Sequence, residues 1–292
     1  MNSAVVITTK DRVKYLERAV ESVFAQTLLP TELVIIDDCS AEHLSTSLLN
    51  MFNEQALKLN IKFDYIYNQE PKGGNFSRNL GIKKTSSPLV HFLDDDDLWL
   101  ENKIKDQVEV FVNNNEVGLV YTGKCFVQDT DLKHIKRKSK HKKAESNIWR
   151  GNYIGSTSGV SVKREFLELS NGFDENLKSL QDYDLWIRVL ELTQSAWDNK
   201  HNLIYTVHTN IGNQITSNVD KHLDTIVYMK AKYKNKLHTI STKDRRVFES
   251  RLEHVLARAY RNVGSAKFLK HTLRSLWLSP SFRTFILLFN IK

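Results

Sequence analysis

Cysteine is nearly absent: Cys39 and Cys125 are the only two, too few for a disulfide framework and not in a zinc spacing. Both read as small core residues in a reduced setting. No apolar run approaches the roughly eighteen residues that a membrane span needs. The opening Met1-Asn2-Ser3-Ala4-Val5 also lacks the basic start and long apolar stretch of a signal peptide, so a cytoplasmic chain is expected. No glycine fingerprint follows the first apolar run and no phosphate loop of the Gly-Lys-Ser or Gly-Lys-Thr type occurs, which argues against NAD, FAD and the usual triphosphate cradle. The basic segment 131–148 lacks the interleaved aromatics of a single-strand nucleic-acid groove and reads as a surface loop.

What is present is the composition of a soluble globular protein, with 41% hydrophobic and 26% charged residues in a 292-residue chain long enough to bury a sizeable core. The net charge of +8 is unevenly spread. Residues 221–292 hold sixteen Lys and Arg against four Asp and Glu, a net of +12, so the first 220 carry −4. Two regions with different partners are implied. The expected division is 1–218, with halves 1–100 and 101–218, followed by a basic, amphipathic helical region 219–292.

Ala4 to Thr9 and Leu33 to Ile36 are uninterrupted apolar strands joined by a segment in which Tyr15, Leu16, Ala19, Val20, Val23 and Phe24 recur at helical spacing. Such a unit demands a parallel sheet covered on both faces. A helix over Leu44 to Leu59, a strand over Phe63 to Tyr67, and a glycine-containing loop running into a helix at Gly74 follow. The fold class is therefore α/β, an open sheet flanked by helices. Ligands bind such sheets at the carboxyl ends of the strands, where the strand order reverses.

One strand ends abruptly: Val90-His91-Phe92-Leu93 runs into Asp94-Asp95-Asp96-Asp97 before Leu98-Trp99. Adjacent carboxylates repel one another, so these are either solvated, as a strand end that caps a helix, or they hold a cation. Alternation along an extended segment sends Asp94 and Asp96 to one side. One such pair can meet a hard divalent ion whose remaining ligands are water and phosphate oxygens. Asp38 can accept hydrogen bonds from a base or ribose, and Arg78 can pair with phosphate or with the acidic cluster.

Taken together, Val5 to Arg12, Val34 to Ser40, Gly74 to Gly81 and Phe92 to Trp99 resemble the family 2 glycosyltransferases of the GT-A fold, a Rossmann-like open mixed sheet. The match continues through Gln181-Asp182-Tyr183-Asp184-Leu185-Trp186-Ile187-Arg188 and covers about three quarters of the chain. Ser77 stands where that family often has Ala, and Gln181 where it usually has Glu. The resemblance implies a donor-nucleotide site of Thr8, Thr9, Arg12, Asp38, Arg78 and Asp95. It implies a Mn2+ or Mg2+ site of Asp94, Asp96 and His208. Inverting transfer needs a base for the acceptor hydroxyl, and Asp182 is assigned that role. Asp184 reads as structural.

The small-residue segment around Gly155, Ser156 and Thr157, together with Trp186, is expected at the acceptor. Gly212 to Asn218 reads as a loop able to close over the donor. The implied function is metal-dependent inverting transfer from a UDP-sugar to a hydroxyl of a glycan or lipid-linked glycan. Sugar-phosphate nucleotidyltransfer and a non-catalytic glycan-binding scaffold are the alternatives. The aromatic and basic C-terminal stretch reads as a peripheral contact with the inner face of an anionic membrane, a packed appendage, or an oligomer contact.

Overall fold

The computed structural model describes residues 1–140, 147–209 and 219–289. The expected loop over Gly212 to Asn218 lies outside them. Two compact units are drawn from Met1–His141, Ile154–Glu175 and Arg188–Thr209, and from Lys142–Tyr153, Asn176–Ile187 and Asn210–Lys292.

In the first unit, β1 (Ser3–Thr9), α1 (Val13–Phe24), β2 (Glu32–Asp37), α2 (Thr46–Lys58), β3 (Lys62–Tyr67), α3 (Gly74–Lys84) and β4 (Leu89–Asp94) alternate as the apolar pattern predicts. Helix α2 begins two residues later than expected, because Ser45 is its cap and its hydroxyl accepts the Leu48 N–H at 3.2 Å. A two-residue strand β5 (Leu98–Trp99) and helix α4 (Lys103–Asn113) follow the acidic run. They precede β6 (Val117–Tyr121), β7 (Lys124–Gln128), β8 (Arg137–Lys138), β9 (Val160–Lys163) and α5 (Arg164–Leu169). After α6 (Gln181–Leu190), β10 (Gln194–Trp197) and β11 (Leu203–Val207) complete the unit's strands.

The main sheet runs β10-β6-β9-β4-β1-β2-β3, and a smaller one β5-β11-β7-β8. β1, β2, β3 and β4 are mutually parallel, while β9 is antiparallel to both neighbours. Order therefore reverses between β1 and β4, whose residues are buried on both faces. The register sets Thr8 against Asp94 there. Part of the segment read as a loop is strand β8, which pairs with β7 and lays the Arg137 guanidinium 3.6 Å from the Phe126 ring centroid. Strand pairing and a cation–π contact hold this stretch without any apolar period in its sequence.

Gly81 shows why the chain has no side chain at that point of α3. A Cβ would lie 2.3 Å from Val6 Cγ1 in buried β1. Gly81→Ala gains about 1 kcal/mol of helix propensity but forces apart a packed helix and strand, at about 1–3 kcal/mol. A net loss of up to about 2 kcal/mol is expected in urea unfolding; a gain in stability would mean that α3 does not rest on β1 as described.

In the second unit, helices α7 (Val219–Lys232), α8 (Lys234–Thr239), α9 (Thr242–Asn262), α10 (Lys267–Leu278) and α11 (Phe282–Phe285) follow one another. Trp149 packs edge-on against Tyr233 and Phe248, and the Tyr183 hydroxyl donates to the Ile148 carbonyl at 2.8 Å. Asp184 is fully buried, with Lys232 Nζ at 2.8 Å and the Tyr233 hydroxyl donating at 2.7 Å. A buried carboxylate held this way joins the start of α6 to α7 and leaves the neighbouring Asp182 as the more accessible acid of the pair.

Candidate active site

The site in the first unit grows from the carboxyl ends of β1, β2 and β4. Side chains leave β4 at the topological switch point, so Asp94 comes out beside Thr8 and the following turn brings Asp95 to Thr9, whose hydroxyl donates at 2.8 Å. Arg12, in the turn after β1, reaches back over the run: its Nη1 donates to Asp95 at 3.1 Å and to Asp96 at 2.7 Å. Arg78 Nη2 donates to Asp94 Oδ1 at 2.5 Å. A Cβ on Gly74 would lie 3.1 Å from Arg78 Nη1, so glycine leaves room for the guanidinium. Gly73 has φ +90°, a left-handed backbone that favours glycine.

Asp38 pins that glycine loop. Its carboxylate accepts the backbone N–H groups of Lys72 and Gly73 at 2.8 Å, and the side chains of Asn68 and Ser77. Its position after β2 is thereby fixed, with little surface left exposed.

His208 follows β11 and meets Asp96 Oδ2 with Nε2 at 2.8 Å. Asp129 stands 3.5 Å from His208 Nδ1 and also accepts the Thr209 N–H. Sequence reasoning missed Asp129. The signal was an acid directly after an apolar strand, because β7 and β11 are parallel neighbours with Gln128 opposite Val207. Tyr15, edge-on to the His208 ring at 5.5 Å, was missed too.

Electrostatics separate the carboxylates. Burial pushes Asp95 up to about 7; Asp96 and Asp94 add to the rise, and Arg12 and Thr9 work against it. Burial also acts on Asp94, but the Arg78 charge and hydrogen bond outweigh it and hold Asp94 below the ordinary carboxylate range. Asp97 is buried deeper and raised well above that range by desolvation and by Asp96 and Asp94; its Oδ1 accepts the Thr206 N–H at 3.0 Å. So much confined negative charge favours an added cation. Among the described residues no group of three or more His, Cys, Asp or Glu side chains forms a ready-made cage. Mg2+ and Mn2+ seldom take an all-protein shell, and carboxylates with an imidazole are donor types that they accept.

Asp182 belongs to the second unit, at the start of α6. Its Oδ1 accepts the Tyr183 N–H at 2.7 Å and its Oδ2 accepts from Asn152 at 3.1 Å, with the side chain half-buried. Gly155, Ser156 and Thr157 belong to the first unit, where Gly155 has φ +96° and faces the Lys124 ammonium. Trp186 corrects one expectation. It is fully buried, because α6 is covered on all sides from Tyr183 to Ile187, and it does not line an acceptor surface.

A switch-point site edged with carboxylates on an open mixed sheet is the GT-A arrangement. Residues 4–169, more than half of the chain, match the model of glycosyl transferase family 2, and the chain belongs to that family. An uncharacterized glycosyltransferase of Haemophilus influenzae is 25% identical over 190 residues, covering 64% of this chain and 62% of that protein. One from Nostoc sp. is 34% identical over 179 residues, covering 58% and 52%. The chain thus spans less than two thirds of the length of these relatives. Among solved structures, Staphylococcus aureus TarS 1–349 in complex with UDP has a TM-score of 0.59 at 15% identity, over 97% of this chain and 93% of that one. The mannosyltransferase PcManGT of Pyrobaculum calidifontis, in complex with GDP-Man and Mn2+, has a TM-score of 0.59 at 15% identity, over 100% and 88%. The fold is shared with both.

Proposed function

We propose that this chain is a metal-dependent, inverting glycosyltransferase that moves a hexose from a UDP-sugar to a hydroxyl of a glycan or lipid-linked glycan acceptor in surface polysaccharide synthesis. The observation that carries the reading is the acidic run at the β1/β4 switch point, where Arg78 pairs with Asp94 and both Arg12 and His208 meet Asp96. Four acids in a row are otherwise a poor way to end a buried strand. The family match and the nucleotides bound by TarS and PcManGT support it.

In this reading Thr8, Thr9, Asp38 and Asp95 position the nucleotide, and Arg12 and Arg78 exchange their carboxylate partners for phosphate oxygens. Asp94, Asp96 and His208 would hold Mn2+ or Mg2+, which offsets the charge of the departing diphosphate. Asp182 takes the proton of the acceptor hydroxyl as its oxygen bonds to the anomeric carbon; the bond from that carbon to the phosphate oxygen breaks and UDP leaves with the electron pair. Attack and departure occur on opposite faces, so the configuration inverts, by the same one-step logic as in inverting glycosidases. Residues 1–218 make up the catalytic region and 219–292 an appended one.

Incubation with a panel of UDP- and GDP-sugars and Mn2+ tests the reading. Slow release of a nucleoside diphosphate from one donor is expected. Pyrophosphate release from a nucleoside triphosphate and a sugar phosphate, or no turnover with any donor, would overturn it.

A further inference from the structure

Helix α10 buries small polar residues: Thr272 and Ser275 are fully covered, beside the buried Leu278. Ser275 and Ser250 of α9 each donate to the other's carbonyl oxygen at 2.8 Å, and His254 Nδ1 meets Thr284 Oγ1 at 3.0 Å. The side turned to solvent carries an apolar stripe. Leu269, Leu273 and Trp277 recur every fourth residue on one stripe, with 74% of the indole exposed. Phe282, 77% exposed, and Phe285 and Phe289 extend the apolar surface past Pro280. An ordinary surface helix keeps such a stripe against the core.

The charge around this surface has one sign. Past Glu253 there is no Asp or Glu to the end of the chain, against seven Lys and Arg. Glu253 itself is buried, with His271 Nδ1 at 2.7 Å and Arg274 Nε at 3.4 Å. Arg246 places its guanidinium 5.5 Å from the Trp277 ring centroid and donates to the Trp277 and Leu278 carbonyls, which fixes the indole at the end of the stripe.

We propose that the outward face of α10, with the aromatic residues of the following segment, docks on an anionic lipid bilayer. Apolar side chains enter the boundary of the acyl chains while Lys267, Lys270 and Arg274 remain among the headgroups, an arrangement that needs both parts of the surface. A second copy of the chain is a poorer occupant, because a two-fold contact would set this cationic face against itself.

The full chain is sedimented with phosphatidylcholine vesicles, alone and with phosphatidylglycerol added, at low and high salt, while tryptophan emission is followed. Binding to the anionic vesicles alone, weakened by salt and accompanied by a blue shift, is expected. Trp277→Ala with Phe282→Ala should lower partitioning at least about tenfold, and Lys270→Gln about fivefold. All three side chains are exposed, so the thermal midpoint should hold. No binding to either vesicle, equal binding by the double variant, or a concentration-dependent dimer that the double variant loses would overturn the proposal. Sugar-transfer activity is not part of the readout, so the proposal can fail while the catalytic reading stands.

Discussion

Asp96→Ala is expected to lower sugar transfer by about 10³-fold or more and to make nucleotide binding indifferent to Mn2+. The size follows from the charge involved: a cation stabilising a departing diphosphate supplies several kcal/mol in the transition state, and each 1.36 kcal/mol is about tenfold in rate. Asp96 is the carboxylate on which two elements converge, since Arg12 Nη1 and His208 Nε2 both lie within 2.8 Å of its Oδ2. Removing it leaves Arg12 still paired with Asp95 and His208 still beside Asp129, so the fold should lose only about 1 kcal/mol or less, as for a partly exposed ion pair. Calorimetric titration with UDP, with and without Mn2+, separates the two effects. The wild-type protein should bind UDP at least about tenfold more tightly with the ion, a factor worth 1.4 kcal/mol. A variant whose UDP affinity still rises with Mn2+ would remove Asp96 from the ion's shell.

Much of this architecture can be read from the residues alone, and the exceptions have physical causes. Apolar runs such as Val5-Val6-Ile7 and Leu33-Val34-Ile35-Ile36 announce strands buried on both faces, and α1 follows its 3.6-residue spacing closely. Strands β8 and β10 announce nothing. Arg137-Lys138 and Gln194-Ser195-Ala196-Trp197 have neither alternation nor an apolar run, and they become strands because distant partners offer them an edge. The antiparallel insertion of β9 between β4 and β6 is equally invisible, since pairing partners in a mixed sheet are chosen by tertiary packing.

At the site, the acidic run was conspicuous because its residue types are costly where they stand. Asp129 and Tyr15 were not, because each gains its meaning only through a neighbour brought near by the fold: β11 for the first, the His208 ring for the second. Trp186 shows the converse error. An aromatic residue within a motif reads as a ligand contact, yet this stretch of α6 is buried from Tyr183 to Ile187 and the indole is covered with it.

Asp182→Asn is expected to keep UDP affinity within about twofold while lowering kcat by about 10²–10⁴-fold, the range for loss of a general base. Asn keeps an oxygen to accept the Tyr183 N–H, and the Asn152 amide can turn its own oxygen toward the new side-chain donor, so both hydrogen bonds survive. Loss of transfer with the fold and the nucleotide site intact would then report on the proton alone. The pH profile adds a readout that a purely architectural role would not move. In the wild-type protein the base must be ionised, so kcat/KM should rise with pH through an acid limb, and that limb should vanish in the variant. Asn152→Ala should behave differently: the carboxylate remains but loses the partner that orients it, so transfer should fall by a smaller factor and the acid limb should persist. Should Asp182→Asn instead weaken UDP binding and transfer in equal measure, Asp182 holds the start of α6 together, as Asp184 does, and the base lies elsewhere.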